Sequence, residues 1–220
     1  NQPPVNPSPV PQPIFRKSDT RPRHDDAKLA ALGIRAFESN RLKLYTDIDP
    51  KLAAKLPPLI DAAYTAWEAY FGKLPANRER TNFQVTGYLM ADKGRFRDAG
   101  LIPGNLRPFV NGRHRGAEFW MNDQKYDYYR SHLVIHESTH CFMEAIAGER
   151  YYEGLPAWYW EGMAELFGTH QTDTQGKVHF RVMPDDRENF AGLGRVTLVR
   201  EAVDAGKRKS IGGVTRLRGG

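Results

Sequence analysis

Residues 136–140, His-Glu-Ser-Thr-His, carry two histidines four positions apart, with a glutamate directly after the first. On a helix, residues i and i+4 share one face, about 6 Å apart at Cβ. Two imidazoles placed in this way can both bind one Zn²⁺ at roughly 2.0–2.1 Å. Glu137 would then lie beside the ion, where a carboxylate can take a proton from an attacking water. The residue types and their spacing therefore predict metal-assisted hydrolysis.

A catalytic zinc site normally has three protein ligands and keeps one position for water. His132 is a poor third ligand, because eight residues separate it from His140 and place it about 12 Å away along a helix. It could pair with His136 instead, but Glu137 would then have no role. We therefore expect His132 to be a core, surface or supporting residue.

A better third ligand is Glu161, in the otherwise apolar segment 156–167, PAWYWEGMAELF. Burying a lone carboxylate costs free energy unless a positive partner accompanies it, and a zinc ion is such a partner. Glu165 lies four positions further on, on the same helical face. It could accept the free ring N–H of a ligand histidine and so fix its orientation. The alternative for Glu165 is a surface carboxylate.

The combined pattern, HESTH at 136–140 followed by WYWEGMAE at 158–165, resembles the gluzincin metallopeptidases. These include the thermolysin-like and aminopeptidase N-like enzymes. In style, the second motif resembles the pattern W-x-x-E-G-x-A-E of a group of largely uncharacterised bacterial peptidase-MA-like domains. The matching residues lie within about 132–168, and the resemblance implies a zincin-like domain.

The resemblance implies specific roles for five residues. His136, His140 and Glu161 would bind Zn²⁺. Glu137 would be the general base and proton shuttle, and Glu165 would support a ligand histidine. The family also has an edge strand that borders the cleft and pairs with extended substrate. We expect residues 116–122, GAEFWMN, to be that strand.

The motifs do not identify every feature that gluzincins usually have. A Tyr or His after the third ligand usually stabilises the oxyanion of the tetrahedral intermediate. The spacing does not select among the candidates, which are His170, His179, Arg181, Tyr159 and Tyr126. The family's helical C-terminal part is short here, which leaves truncation at the C-terminus open. The chain also has no Gly-x-Met-Glu-Asn motif, which grips a free N-terminus in aminopeptidases, so we favour an endopeptidase.

The hydrophobic periodicity predicts an α+β fold, with a small N-terminal mixed sheet followed by the two ligand helices. The predicted strands are 41–48, 81–90, 116–122 and 177–183. The predicted helices are 51–71, 126–147, 157–169 and 195–207, with a short helix and a loop within 92–112. Residues 1–28 are predicted to be a Pro-rich and charged flexible leader, and residues 29–220 a single gluzincin-like catalytic domain.

Composition limits the remaining possibilities. With 220 residues, of which 40% are hydrophobic, the chain can form one domain with a core, and no apolar run predicts a transmembrane helix. The lone cysteine, Cys141, excludes an intramolecular disulfide, and we expect it to be a small buried residue. The chain begins at Asn1 rather than Met, and its leader is Pro-rich. We therefore expect an exported protein of the periplasm, cell envelope or extracellular space.

The charge of +6 could indicate a nucleic-acid partner, but the Lys and Arg residues are scattered and no nucleic-acid module signature accompanies them. We therefore expect a peptide or protein substrate and no nucleic acid. The main alternative is a non-catalytic zinc-containing module that binds a peptide, a cell-wall component or a protein. Glu137 argues against that alternative, because a structural zinc site needs no base.

Overall fold

The computed structural model describes residues 15–148, 156–184 and 200–207, together with Ser210 and Gly212. The strands are β1 (Arg35–Glu38), β2 (Leu42–Thr46), β3 (Val85–Met90), β4 (Gly112–Arg115), β5 (Glu118–Asn122), β6 (His170–Thr172) and β7 (Val178–Phe180). The helices are α1 (Asp26–Ala31), α2 (Pro50–Ala53), α3 (Leu56–Phe71), α4 (Lys93–Asp98), α5 (Asp127–Ala147) and α6 (Ala157–Gly168).

The first five strands form one mixed sheet in the order β1-β2-β3-β5-β4. The three inner strands β2, β3 and β5 run parallel, whereas β1 and β4 pair antiparallel at the two ends. Strands β6 and β7 form a separate antiparallel pair. The mixed sheet with packed helices confirms the predicted α+β class.

The main core lies between one face of this sheet and helices α3, α5 and α6. Its largest side chains are aromatic: Trp67 of α3, Phe142 of α5 and Phe167 of α6 are all fully buried. The inner strands are apolar on both faces, so the opposite face needs a cover as well. There Tyr45, Tyr88 and Trp120 stack on one another beneath α1 and α4.

Helix α5 matches the prediction over 126–147 and α6 matches the prediction over 157–169. The predicted helix over 51–71 is two helices instead. The second of these, α3, has prolines in its first turn. A proline there has no N–H to donate to the preceding turn, so the helix restarts rather than continues.

The prediction that residues 116–122 border the cleft is wrong. They do form β5, but β5 lies between β3 and β4, inside the sheet. The strand at this end of the sheet is β4, which the sequence did not indicate. Its four residues, Gly-Arg-His-Arg, show no apolar alternation, as is common in short end strands. Strand β1 was also not predicted.

Other predicted segments fall partly outside the described residues. Residues 1–14 of the predicted leader lie outside them. In the remainder of the leader, Arg16 is buried, pairs with Asp19 at 2.6 Å and forms a β-bridge with Asn77. Of the last predicted helix, residues 195–199 lie outside the described residues and 200–204 are helical.

No described helix has the length and apolar character needed to cross a membrane.

Candidate metal centre

Helix α5 carries HESTH through the middle of the molecule. It is buried almost continuously from Arg130 to Met143, because one side packs on the sheet and another on α6. His136 and His140 are one turn apart, and their Nε2 atoms are 3.1 Å apart. Both ring nitrogens therefore point to the same position, as the i, i+4 spacing predicts.

Glu161 of α6 meets these two histidines. Its Oε2 lies 3.5 Å from Nε2 of His136 and 3.7 Å from Nε2 of His140. Tetrahedral bonds of 2.0–2.1 Å imply ligand atoms about 3.3–3.4 Å apart. The three observed separations lie within a few tenths of an ångström of that value. The His₂Glu set is a known donor set for catalytic zinc, so the residues present fit this ion.

The charge states of Glu161 and His140 suit a cation, whereas for His136 burial, which lowers the pKa, is outweighed by the neighbouring carboxylates, which raise it in the absence of an ion. Burial alone would raise the pKa of Glu161, but hydrogen bonds from His136 and His140 outweigh it and hold that pKa well below its usual range. Burial lowers the pKa of His140 to about 4, so its ring is neutral at neutral pH. Neutral imidazole and ionised carboxylate are the forms that bind metal.

Glu137 projects towards β4 rather than into the helix bundle. It is buried, and burial raises the pKa of its carboxyl group. Gly112 in β4 lies so close to the carboxylate that a β-carbon at position 112 would displace the Glu137 side chain. Glu137 is thus held between its own helix and the end strand, beside the three candidate ligands.

His114 is a member of this cluster that the sequence did not reveal. Its ring stacks on that of His140 with centroids 4.5 Å apart. Its Nδ1 lies 3.8 Å from Oε2 of Glu137 and its Nε2 lies 3.7 Å from Oε2 of Glu144. Burial lowers the pKa of His114 to about 4. No local motif contains this residue; the pairing of β4 with β5 brings it to the site.

Glu165 lies behind the candidate ligands, as predicted for a supporting residue. Its Oε1 is 3.5 Å from Nδ1 of His136, and its Oε2 is 3.1 Å from Nε2 of His132. His132, His136 and Glu165 therefore form a second group that could hold a metal ion, because one potential ligand atom from each lies within 4.8 Å of the others. His136 belongs to both groups, through its two different ring nitrogens.

The cluster lines a cavity of about 270 Å³ between β4, α5 and α6. The lining residues are Asn111, Gly112, Arg113, His114, Tyr129, His132, Leu133, His136, Glu137, His140, Trp160, Glu161 and Glu165. All five residues assigned to zinc chemistry line this one cavity. Asn111, Arg113 and Tyr129 are additional polar groups that the sequence did not single out.

The candidates for oxyanion stabilisation lie elsewhere. His170 is buried against Tyr128, with its ring stacked on the tyrosine at 4.8 Å. His179 lies on β7, where its Nε2 pairs with Asp173 at 2.9 Å. Tyr159 packs on the edge of the main core. Neither these three nor the other two candidates, Arg181 and Tyr126, are among the described residues that line the cavity.

Cys141 follows the second histidine but faces the sheet. It is fully buried, and its Sγ lies 3.7 Å from the carbonyl oxygen of Glu118. Burial raises the pKa of its thiol well above the ordinary value. The prediction of a small buried residue is confirmed.

Comparison of the chain with protein-family models, with curated proteins and with solved structures found no match.

Proposed function

We propose that this protein is a zinc-dependent peptidase with a zincin-like domain of gluzincin type, which cleaves peptide bonds within flexible segments of its substrates. One observation carries the proposal. The three ligand atoms of His136, His140 and Glu161 lie within 3.7 Å of one another, and Glu137 lines the same cavity. A zinc site with a purely structural role would have no use for a buried carboxylate at that position.

In this proposal, the three ligands hold the ion and Glu137 moves the proton. Zn²⁺ bound there would act as a Lewis acid on the scissile carbonyl and lower the pKa of a water towards 7. Glu137 accepts the proton of the attacking water and then donates it to the leaving amine. A carboxyl group whose pKa is raised by burial is suited to both steps, because it binds the proton more readily and still releases it.

The geometry of β4 favours an extended substrate. It forms one end of the described five-stranded sheet, and three of its residues, Gly112, Arg113 and His114, line the cavity. A peptide in extended conformation can add to such an end strand through main-chain hydrogen bonds. This mode of binding requires a flexible or unfolded segment and does not require a free terminus, which supports an endopeptidase.

Cleavage of an unfolded protein such as casein, and of peptides blocked at both ends, tests the proposal. We expect the zinc-loaded protein to cleave both, and chelation to stop the reaction. Glu137→Gln should retain zinc and lower kcat by at least about 100-fold, because general acid–base catalysis contributes about 10²–10⁴. Unchanged cleavage by this variant would refute the mechanism. A wild-type protein that binds zinc but cleaves nothing would favour the non-catalytic binding module.

A further inference from the structure

His132, Glu165 and His136 form a continuous chain that ends at the candidate metal position. Nε2 of His132 lies 3.1 Å from Oε2 of Glu165, and Oε1 of Glu165 lies 3.5 Å from Nδ1 of His136. His132 is 1% exposed, whereas the Glu165 side chain is 31% exposed. The Glu165 side chain is thus partly in solvent, and the buried histidine is the group that can fix its orientation.

The packing around His132 restricts its ring to this orientation. A β-carbon at position 168, the last residue of α6, would lie 2.7 Å from Cε1 and 2.9 Å from Nδ1 of His132. The glycine therefore lets the ring lie flat against the end of α6. The ring also stacks on Tyr129, with centroids 5.8 Å apart. Its Nδ1 has no hydrogen-bond partner within the described ranges, so Nε2 makes the ring's polar contact.

The same three residues could be considered as a second metal site, but their protonation argues against it. A carboxylate only accepts hydrogen bonds, so Nε2 of His132 is the donor in its 3.1 Å hydrogen bond with Glu165. An imidazole that binds metal through Nε2 keeps its proton on Nδ1. Nδ1 of His136 has no hydrogen-bond partner among the described residues. With the proposed ion on Nε2, Nδ1 would carry the proton, face Glu165 at 3.5 Å and offer no lone pair to a second ion.

We propose that His132 is a positioning residue for the metal centre: it holds the Glu165 carboxylate 3.5 Å from Nδ1 of His136, where the carboxylate can accept the Nδ1–H once Nε2 of His136 binds the ion. His132 orients Glu165, and Glu165 in turn orients the proposed ligand His136. This inference rests on the zinc site of the proposed function but not on peptide hydrolysis. It can therefore hold even if the protein cleaves no peptide.

Two replacements of His132 distinguish a positioning role from simple packing. A glutamine amide can place its NH₂ group near the position of Nε2 of His132. An asparagine amide places it near the position of Nδ1, and Nδ1 has no hydrogen-bond partner among the described residues. Zinc affinity is measured by competition with a chromogenic chelator, so no substrate is needed. The unfolding midpoint in urea is measured for each metal-free variant.

We expect His132→Asn to weaken zinc binding about 10–100-fold, as is typical for loss of a partner of a ligand histidine. His132→Gln should recover most of that affinity. In a Glu165→Ala background, His132→Asn should cost no further affinity, because the group it positions is absent. The zinc content should stay at one per chain in all variants.

Several results would overturn the proposal. These are equal affinities for the Asn and Gln variants, additive losses in the double variant, or two zinc ions per chain that fall to one in His132→Asn. The last would make His132 itself a ligand. If His132→Asn does not fold, Glu165→Ala provides the test. The Glu165 side chain is partly exposed, so its removal should disturb folding less than a change at buried His132. Glu165→Ala must then show the same 10–100-fold loss, and wild-type affinity would contradict the proposal.

Discussion

Gly112 and the Glu137 side chain are in such close contact that any side chain at position 112 would displace the Glu137 carboxylate. A β-carbon built at position 112 would overlap Oε1 of Glu137 and lie 2.9 Å from both Cδ and Cγ. Gly112 is in β4 and Glu137 in α5, so this contact joins the end strand to the helix that carries HESTH. It places the proposed base within the cavity next to the strand that is expected to receive the substrate.

Gly112→Ala should therefore impair catalysis without removing the metal. The methyl group would force the Glu137 carboxylate away from its position, and a displacement of about 1 Å in a catalytic group can cost about 100-fold in rate. Zinc affinity should change little, because His136, His140 and Glu161 are untouched. Steady-state kinetics and chelator competition measure the two effects. Gly104→Ala is the matched control, because a β-carbon there meets no atom within 4 Å; equal kcat in both variants would contradict this role of Gly112.

Glu161→Ala should remove most of the zinc affinity, because it deletes one of three ligands. The loss should exceed the about 10–100-fold expected for a residue that only supports a ligand. Equilibrium dialysis against zinc buffers measures it. Glu201→Ala, at an exposed position of the described helical segment 200–204, is the control and should bind zinc normally. Full zinc retention by Glu161→Ala would remove this residue from the site.

His114 should make the metal-free protein less stable in acid. Burial holds its folded-state pKa at about 4, below the ordinary value of 6.5. Between these values the unfolded chain binds a proton that the folded chain excludes, so the free energy of unfolding falls as the pH is lowered through this window. His114→Asn removes that titration. Its urea midpoint should therefore change less between about pH 7 and about pH 4.5 than that of the wild type.

The control for this prediction is Val110→Ala. Val110 is 84% exposed and does not titrate, so its replacement should leave the wild-type pH dependence in place. A pH dependence in His114→Asn as steep as in the wild type would show that His114 is protonated as readily in the folded as in the unfolded chain.

His179→Ala should leave kcat and KM unchanged. The ring pairs with Asp173 outside the cavity, so it is not placed to donate to a developing oxyanion at the zinc site. The assay is the cleavage of a doubly blocked peptide. A fall in kcat of the size expected for loss of an oxyanion donor, about 10²–10³-fold, would show that β7 moves into the site when substrate binds.

The helix that carries HESTH could be predicted because its information is local. HESTH fixes the face of α5, and a carboxylate in an apolar helix identifies Glu161 as a residue that needs a positive partner. Glu165 follows from the same helical spacing. The structure adds that Glu165 also contacts His132, which needs knowledge of how α5 and α6 pack together.

The end strand could not be predicted because its information is not local. Strand β4 consists of Gly-Arg-His-Arg, so it has no apolar pattern, and its place follows from pairing with β5. The contributions of Gly112 and His114 to the site depend on that pairing. The strongly apolar β5 was readily identified as a strand, but its apolar character reflects burial inside the sheet rather than a place beside the cleft.

The most direct test of the metal centre is the zinc content of purified protein without an affinity tag, measured by elemental mass spectrometry alongside His140→Ala. The account predicts about one zinc per wild-type chain and much less in the variant, because His140 supplies one of the three ligands. Wild-type protein that holds no zinc after incubation with the ion at neutral pH would contradict the account. HESTH would then be part of a histidine-rich buried helix, and the proposed peptidase function would fall with the metal site.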